Sequence, residues 1–172
     1  MFRHFLRLVR LAGGLLLTVI MIALFPAAAL ASQTSALMVV SATVLSVCGV
    51  AATPLVFGNY SGTGTSPTDA TSTITATCTA GVNYTISLDN GLGTGGTVAT
   101  RVLTNGANTL NYTIYKDSGR SAIWGDGTSS TSTVTGTGTL IPQIITAYGR
   151  IPASQLASAG AYLDTVTVTL TY

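Results

Sequence analysis

Threonine and apolar residues alternate along much of this chain with a period of two residues. Such alternation is typical of half-buried β-strands, because successive side chains of a strand point to opposite faces. Threonine on the wet face keeps the strand propensity of a β-branched residue without exposing more apolar surface. The pattern predicts strands at TSTITATC (71–78), YTISL (84–88), LNYTIY (110–115), TSTVTGTGT (131–139) and TVTVTLTY (165–172).

Clusters of Gly, Asn, Asp and Ser separate these strands at intervals of roughly 8 to 15 residues. Beyond the N-terminal region, no segment shows a sustained 3.6-residue apolar period with capping residues, so we expect almost no helix. The piece PASQLASAG (152–160) is predicted to be a loop between two strands. The pattern therefore indicates an all-β antiparallel sandwich.

The segment TSALMVVSATVLSV (34–47) is a strand-like apolar run with no turn signal inside it. The positions that share one face at period two are Met38, Val40, Ala42 and Val44. Leu37 and Val39 make the opposite face apolar as well. Strands that are apolar on both faces are normally buried centrally, yet a terminal segment is the least expected to be central. The run is therefore either an ordinary first strand of its own domain or a strand that a neighbour covers.

The last predicted strand, YLDTVTVTLTY, ends at residue 172. One of its faces carries Tyr162, Val166, Val168, Leu170 and Tyr172, with threonines on the other. We expect this strand to belong to the core, with no following strand of the chain beside it. Something else must then fill the sheet edge next to it.

The first 31 residues have the three parts of a secretory signal peptide. The basic region, the apolar stretch and the cleavage site are Arg3 to Arg10, Leu11 to Phe25 and Ala29 to Ala31. The mature protein is expected to begin at Ser32. A retained N-terminal membrane anchor is the alternative, which Gly13, Gly14 and Pro26 disfavour.

Loss of the signal would remove three of the seven basic residues and the only histidine, His4. The mature chain would keep four basic residues against five aspartates and would have no glutamate. No basic patch remains for nucleic acid, and a serine or cysteine nucleophile would lack its usual base. We therefore expect neither nucleic-acid binding nor enzyme activity, and no small-molecule substrate or cofactor.

Two local motifs suggest ligand sites but have simpler explanations. Gly91 to Gly96 matches the GxGxxG spacing of dinucleotide-binding loops, yet the strand-like TVATRVLT follows it instead of a helix. Trp124 beside a glycine-rich turn could stack on a sugar, but such a tryptophan is more often a packing residue. We expect a hairpin loop and a packing residue.

Cys48 and Cys78 are the two cysteines of the chain. An exported protein meets an oxidising compartment, so we expect them to form one disulfide. Closing a loop of this length stabilises a fold by roughly 3 to 4 kcal/mol in the chain-entropy model. A metal site is disfavoured because two thiolates without histidine do not complete a tetrahedral ligand set.

Taken in order, the motifs of the mature chain resemble the spore coat protein U family, which includes the pilin subunits of archaic chaperone–usher pili. The resemblance spans the mature chain and rests on ATVLSVC (42–48), PLVFGNYSG (54–62), TITATC (73–78), YTISLDNG (84–91), LNYTIYKD (110–117), WGDG (124–127), AYGRIP (147–152) and YLDTVTVTLTY (162–172).

The resemblance implies an incomplete immunoglobulin-like sandwich that lacks its last strand. Residues 32–43 would be a donor-strand extension and residues 44–172 the pilin domain. Met38, Val40, Ala42 and Val44 would be the donor residues. The face of Tyr162, Val166, Val168, Leu170 and Tyr172 would line the acceptor groove. A one-residue slip of the donor register stays open, because Leu37 and Val39 are apolar too.

The same resemblance implies the partners and the role. A periplasmic chaperone would fill the groove first, and the extension of the next identical or related subunit would replace it at an outer-membrane usher. The protein would then be secreted through the periplasm to the cell surface as a pilus subunit, with a role in adhesion or biofilm formation. The alternatives are a spore or cyst coat protein and a minor or tip adhesin subunit.

Overall fold

The computed structural model describes residues 31–172, so all but the last residue of the predicted signal peptide lies outside the described residues. Eight strands and no helix occur in this range, and therefore no helix there is long and apolar enough to cross a membrane. The strands are β1 (Cys48–Ala52), β2 (Thr68–Cys78), β3 (Asn83–Leu88), β4 (Arg101–Asn105), β5 (Asn108–Tyr115), β6 (Val134–Thr137), β7 (Gln143–Ile151) and β8 (Val168–Thr171). The all-β prediction is confirmed.

All pairings between these strands are antiparallel. One sheet has the order β1-β2-β7-β5-β4, and the other has the order β6-β3-β8. The first strand, β1, lies at an edge of the larger sheet and pairs only with β2. The last strand, β8, lies at an edge of the smaller sheet and pairs only with β3. The first and last strands of the fold therefore lie near each other, but each has one edge with no hydrogen-bonded strand beside it.

The core lies between the inward faces of the two sheets. Ile74 and Ala76 of β2 and Ile86 and Leu88 of β3 alternate with more exposed neighbours, as the threonine pattern predicts. Trp124 is completely buried, and its indole N–H donates to the backbone carbonyl of Ile86. The tryptophan is thus a packing residue, and it is not available as a sugar-stacking platform.

Two predicted strands are shorter in the structure. The strand expected at 131–139 is formed only at Val134–Thr137, because the Thr131 side chain turns back to the carbonyl of Thr128 at 2.7 Å. The strand expected at 165–172 is formed only at Val168–Thr171, because the Thr167 N–H bonds to the Asp89 carboxylate. At each point a hydrogen bond that involves a polar side chain replaces the regular ladder.

The run 34–47 forms no strand, and the side chains of residues 31–47 are exposed. The first strand of the domain begins at Cys48, so the alternative that residues 37–47 form an ordinary first strand is wrong. Thr43–Tyr172 form one compact unit. The assignment of 32–43 as a donor extension and 44–172 as a pilin domain stays a prediction.

The expected disulfide between Cys48 and Cys78 is present. The two residues are directly opposite each other in the β1–β2 ladder, with Cα atoms 4.1 Å apart. The bridge therefore fixes the edge strand β1 to the rest of its sheet at one end.

Replacing both cysteines by serine should lower the free energy of unfolding by roughly 3 to 4 kcal/mol, since the unfolded chain regains its loop freedom. Urea denaturation of the two proteins would measure the difference. The unmodified protein assayed with a reductant should match the double variant. Equal stability of the oxidised protein and the variant would contradict the prediction.

Candidate functional site

An apolar groove opens between the two unpaired edges of the domain. One wall is the segment from Ala52 to Phe57, which continues β1, and the other is the segment from Leu163 to Val168, which leads into β8. The cavity volume is about 370 Å³. Core side chains form its floor, namely Ile74, Leu88, Leu103, Tyr112 and Ile114.

The core-facing side chains of β1 are open to solvent. Val50 and Ala52 stand opposite Ala76 and Ile74, and cross-strand partners share a face of the sheet. Ala76 and Ile74 are 0% and 2% exposed, whereas Val50 is 38% exposed and Ala52 is also exposed. A strand whose inward side chains remain wet lacks a covering layer on that side.

β8 is open in the same way. Val168 and Leu170 pair with Leu88 and Ile86, both of which are fully buried. Val168 and Leu170 themselves are only half-buried, although they face the same core. Val166, just before the strand, is also half-buried and lines the groove.

Some backbone N–H and C=O groups of β1 are not bonded to β2 and face the groove side of the strand. The Thr79 N–H donates to the Val47 carbonyl, and the Thr53 N–H donates to the Thr73 carbonyl. Because antiparallel bonding alternates along a strand, the odd-numbered residues bond to β2. The N–H and C=O groups of Val50 and its even-numbered neighbours then face away from β2.

The same reasoning applies to β8. The Asp89 N–H donates to the Thr167 carbonyl, so the odd-numbered residues bond towards β3. The N–H and C=O groups of Val168 and Leu170 therefore face away from β3, and Val168 lines the groove. The groove therefore offers apolar side chains and two rows of backbone donors and acceptors, which is what an added β-strand requires.

A polar cluster fixes the groove wall at Asp164. One carboxylate oxygen, Oδ1, accepts hydrogen bonds from the N–H groups of Leu92, Gly93 and Thr165, and Oδ2 accepts one from the Tyr112 hydroxyl at 2.8 Å. Burial, together with the bond to Asp164, raises the pKa of Tyr112 above its ordinary value, so the phenol stays a neutral donor. This cluster ties the 89–96 loop and β5 to the wall.

Arg101, the first residue of β4, supports the same end of the groove. It is completely buried, and its Nε donates to the Asp89 carbonyl at 2.7 Å. Its Nη2 donates to the carbonyls of Leu88 and Trp124. The guanidinium therefore satisfies the backbone where β3 ends.

Asp89 links the end of β3 to the wall beside β8. Burial acts to raise the pKa of Asp89, but hydrogen bonds from Thr167 and from the Gly91 N–H favour the charged carboxylate. The pKa of Asp89 is therefore held below its ordinary value of 3.8. A carboxylate with a lowered pKa stabilises the fold at pH values above its ordinary pKa. This contribution is lost as the pH falls through the lowered pKa.

Acidification to a pH below 3.8 should accordingly lower the free energy of unfolding. The stability of the Asp89→Asn variant should depend less on this acidification. Urea denaturation at about pH 7 and about pH 3 would measure both proteins. Some sensitivity should remain in the variant, because hydrogen bonds to their carboxylates also lower the pKa values of Asp69, Asp117 and Asp126. If the free energy of unfolding fell by the same amount between the two pH values in Asp89→Asn as in the unmodified protein, this role of Asp89 would be contradicted.

A second, larger cavity of about 820 Å³ continues from the groove. It lies between the 55–62 and 157–164 segments and shares Leu55, Phe57 and Leu163 with the groove. The Tyr60 hydroxyl ties the 55–62 segment to the residues just before the 157–164 segment, because it donates to the Pro152 carbonyl and accepts from the Gln155 N–H. The groove thus opens into a wide mouth beyond the paired part of β8.

Within residues 31–172, no three His, Cys, Asp or Glu side chains lie close enough to hold a metal ion. The Gly91–Gly96 segment forms a loop followed by strand β4, not by a helix. The arrangement of the groove is suited to binding a strand of polypeptide.

The family model for the Spore Coat Protein U domain matches residues 34–169. The chain belongs to the Spore Coat Protein U domain family. It is 32% identical over 108 residues to Protein U of Myxococcus xanthus, a match that covers 59% of this chain and 59% of that protein.

A solved structure also resembles this Spore Coat Protein U domain. It is the crystal structure of the CsuC–CsuE chaperone–tip adhesion subunit pre-assembly complex from archaic chaperone–usher Csu pili of Acinetobacter baumannii. The TM-score is 0.54 and the sequence identity is 27%, over 76% of this chain and 40% of the other. The chain thus spans less than two thirds of the length of either relative.

The residues predicted for the acceptor side do not all lie in the groove of this Spore Coat Protein U domain. Val166 and Val168 line the groove, and Tyr162 lines the second cavity. Leu170 packs against the core beyond the lined part, and Tyr172 is 58% exposed. The predicted donor side chains are all exposed, with Met38, Val40 and Val44 at 86%, 82% and 82% and Ala42 likewise open.

Sequence reasoning missed the opposite wall of the groove. Ala52 to Phe57 carries no alternation with threonine, and its PLVFG stretch contributed only to the family resemblance. A usable signal was present, since apolar Leu55 and Phe57 share a face at period two directly after Pro54. Leu163 was missed because it is out of phase with the even-numbered face, and its backbone pairs with Thr104 of β4.

Proposed function

We propose that this protein is a structural subunit of a secreted surface fibre of the chaperone–usher pilus type. The observation that carries this proposal is the uncovered, core-facing apolar surface of β1 and β8, in a chain that also has an exposed apolar N-terminal segment. The segment of one copy would lie in the groove of the next copy as a donor strand. The role is one of assembly and not of catalysis.

The dimensions of the two parts support this pairing. In extended conformation, residues 38–44 span roughly 20 Å, and the groove wall from Leu163 to Val168 spans roughly 17 Å. Burying the side chains of Met38, Val40 and Val44, with a smaller contribution from Ala42, would stabilise the joint by about 5 to 10 kcal/mol. Backbone bonds to the open edges of β1 and β8 would add to this.

A subunit with an open groove needs protection before assembly. Exposed apolar surface beside an unpaired strand edge is an aggregation hazard. We infer that a periplasmic chaperone covers the groove and that an outer-membrane usher exchanges it for the next subunit. The Csu complex, a chaperone–tip adhesion subunit pre-assembly complex, supports this inference. The assembled fibre would lie at the cell surface and serve adhesion or biofilm formation.

A coat protein of a spore or cyst is the second candidate, and the similarity to Protein U favours it. The same groove could join subunits in a layer instead of a filament. Fractionation of cells separates the two functions: sheared surface filaments should contain the protein if it is a fibre subunit. Recovery only in a coat layer would favour the second candidate. A tip adhesin is a further alternative, which would place the protein only at filament ends in labelled images.

Deleting Ser32 to Thr43 should abolish polymerisation of the purified subunit, because the donor residues at Met38, Val40 and Ala42 are lost. The domain should still fold, since its strands begin at Cys48. Size-exclusion chromatography and negative-stain images would compare the two proteins under identical conditions.

The truncated subunit should regain a partner when the missing segment is supplied as a synthetic peptide of residues 34–44. Peptide binding should raise its thermal midpoint, since a ligand of the folded state stabilises it. A peptide with Val40 replaced by aspartate is the matched control and should not bind. Filaments formed by the truncated subunit without peptide would rule out the donor-strand mechanism.

A further inference from the structure

A patch of exposed apolar side chains surrounds the point where the N-terminal segment enters the domain. Its members, which we call the apolar rim, are Leu45, Val47, Leu140 and Ile141, exposed by 75%, 62%, 67% and 68%. Ile144, exposed by 73%, continues the patch onto β7. Neither the groove nor the disulfide accounts for these residues.

One peptide unit holds the rim together. The Thr79 N–H donates to the Val47 carbonyl at 2.9 Å, and the Cys78 carbonyl accepts from the Leu140 N–H at 3.1 Å. The two groups of a trans peptide point in opposite directions, so Val47 and Leu140 flank the end of β2. The Thr79 hydroxyl also bonds to the backbone of Leu45 and Val47. The backbone at Val47 and the backbone at Leu140 therefore lie about 10 Å apart, one on each side of the end of β2.

Leu140 occupies an unfavourable backbone conformation while its side chain faces solvent. Its φ is +67°, in the left-handed region that bulky residues rarely adopt. Asparagine or glycine would fit this position with less strain. A leucine that is mostly exposed and yet held in this conformation is consistent with a contact to another molecule.

We propose that the apolar rim packs against the mouth of the acceptor groove on the next copy of this chain in the fibre. This inference rests on the proposed function. Val44 would be the last donor residue within the neighbour's groove, and the next residue, Leu45, already has its carbonyl within hydrogen-bonding distance of Thr79. One extended residue spans about 3.3 Å, so the neighbour's groove must end beside the rim.

The chemistry of both surfaces fits this contact. The rim segments 45–49 and 138–144 contain no charged residue, which disfavours nucleic acid or lipid headgroups as the partner. At the mouth of the groove, Val56 and Leu163 are exposed by 71% and 74%. The contact would cover apolar surface on both copies and restrict rotation about the short connection at Leu45.

Replacing Leu140 by asparagine together with Ile141 by serine tests the inference in fibres assembled from purified subunits. The variant monomer should unfold at the same temperature or a slightly higher one, because the changes are exposed and asparagine suits the backbone at 140. It should still polymerise through its donor segment. The persistence length of its fibres in negative-stain images should fall severalfold. Leu156→Asn, which changes a 90% exposed leucine outside both the rim and the mouth, should leave the persistence length unchanged.

Two other results would be informative in different ways. Fibres of the rim variant as stiff as those of the unmodified protein would overturn the inference, and the rim would then serve a partner outside the fibre. Failure of the unmodified protein to polymerise at all would overturn the proposed function, and this inference with it.

Discussion

Replacing Val40 by aspartate should abolish polymerisation of the subunit at neutral pH while leaving the monomer folded. Val40 is 82% exposed in the single chain, so a charge there costs the fold little. In the joint, the same side chain would lie in a dry apolar groove, where a carboxylate must be protonated before it can be buried. Protonation at pH 7 costs about 4 kcal/mol, and the lost burial of valine adds about 2 kcal/mol. The donor strand would then bind roughly ten-thousandfold more weakly.

The neighbouring position supplies the control for this prediction. Val39 is equally apolar and 91% exposed, but it points to the other face of the strand. Val39→Asp should therefore polymerise, with the carboxylate on the solvent side. Sedimentation of assembled material would measure both variants, and acidification should partly rescue Val40→Asp. Polymerisation of Val40→Asp together with failure of Val39→Asp would show that the donor register is shifted by one residue.

The second large effect is expected on the acceptor side. Ala52 lines the groove and is exposed in the single chain, with its side chain on the same face as buried Ile74. Ala52→Asp should leave the fold intact but place a carboxylate where the donor strand would bury it. The loss of donor affinity should again be about 4 kcal/mol at pH 7. Ala51→Asp is the matched control, because Ala51 faces outwards beside Thr75 and should tolerate the charge.

A mixture of the two defective subunits sharpens this test. Val40→Asp keeps a functional groove, and Ala52→Asp keeps a functional donor segment. Neither should polymerise alone, but together they should form a dimer, in which the Ala52→Asp subunit donates to the groove of the Val40→Asp subunit. Native mass spectrometry would identify this dimer. Homodimers of either variant, or long polymers of the mixture, would contradict separate donor and acceptor surfaces.

The strands with a regular threonine pattern were predictable from the sequence because each residue's face follows from its position alone. β2 and β3 are in this class, and so is the confirmed absence of helix in residues 31–172. The ends of strands were not predictable, because they depend on individual side-chain hydrogen bonds. Thr131 and Thr167 continue the alternating pattern, yet the first bonds locally and the second donates its N–H to Asp89 across the fold.

The candidate site was predictable only in part. The apolar faces at Val166 and Val168 and at Met38 and Val40 are visible in the sequence, since both follow from period two, but whether the N-terminal run pairs within its own domain was not. The wall from Ala52 to Phe57 is a different case: its side chains form a groove only because β1 and β8 are at the edges of different sheets. Contacts between distant segments determine that arrangement, and no local pattern records them.

The role of Arg101 was likewise not predictable from the sequence. In the sequence Arg101 is one of four basic residues, against five aspartates, in residues 31–172, but the fold buries it completely beneath the carbonyls that end β3. The sequence by itself determined the fold class, the disulfide and the apolar character of the N-terminal segment, because alternation and hydropathy are local properties and two cysteines allow only one pairing. Only the tertiary structure decided which surfaces remain open, since exposure of β1, β8 and the apolar rim depends on what the rest of the chain leaves uncovered.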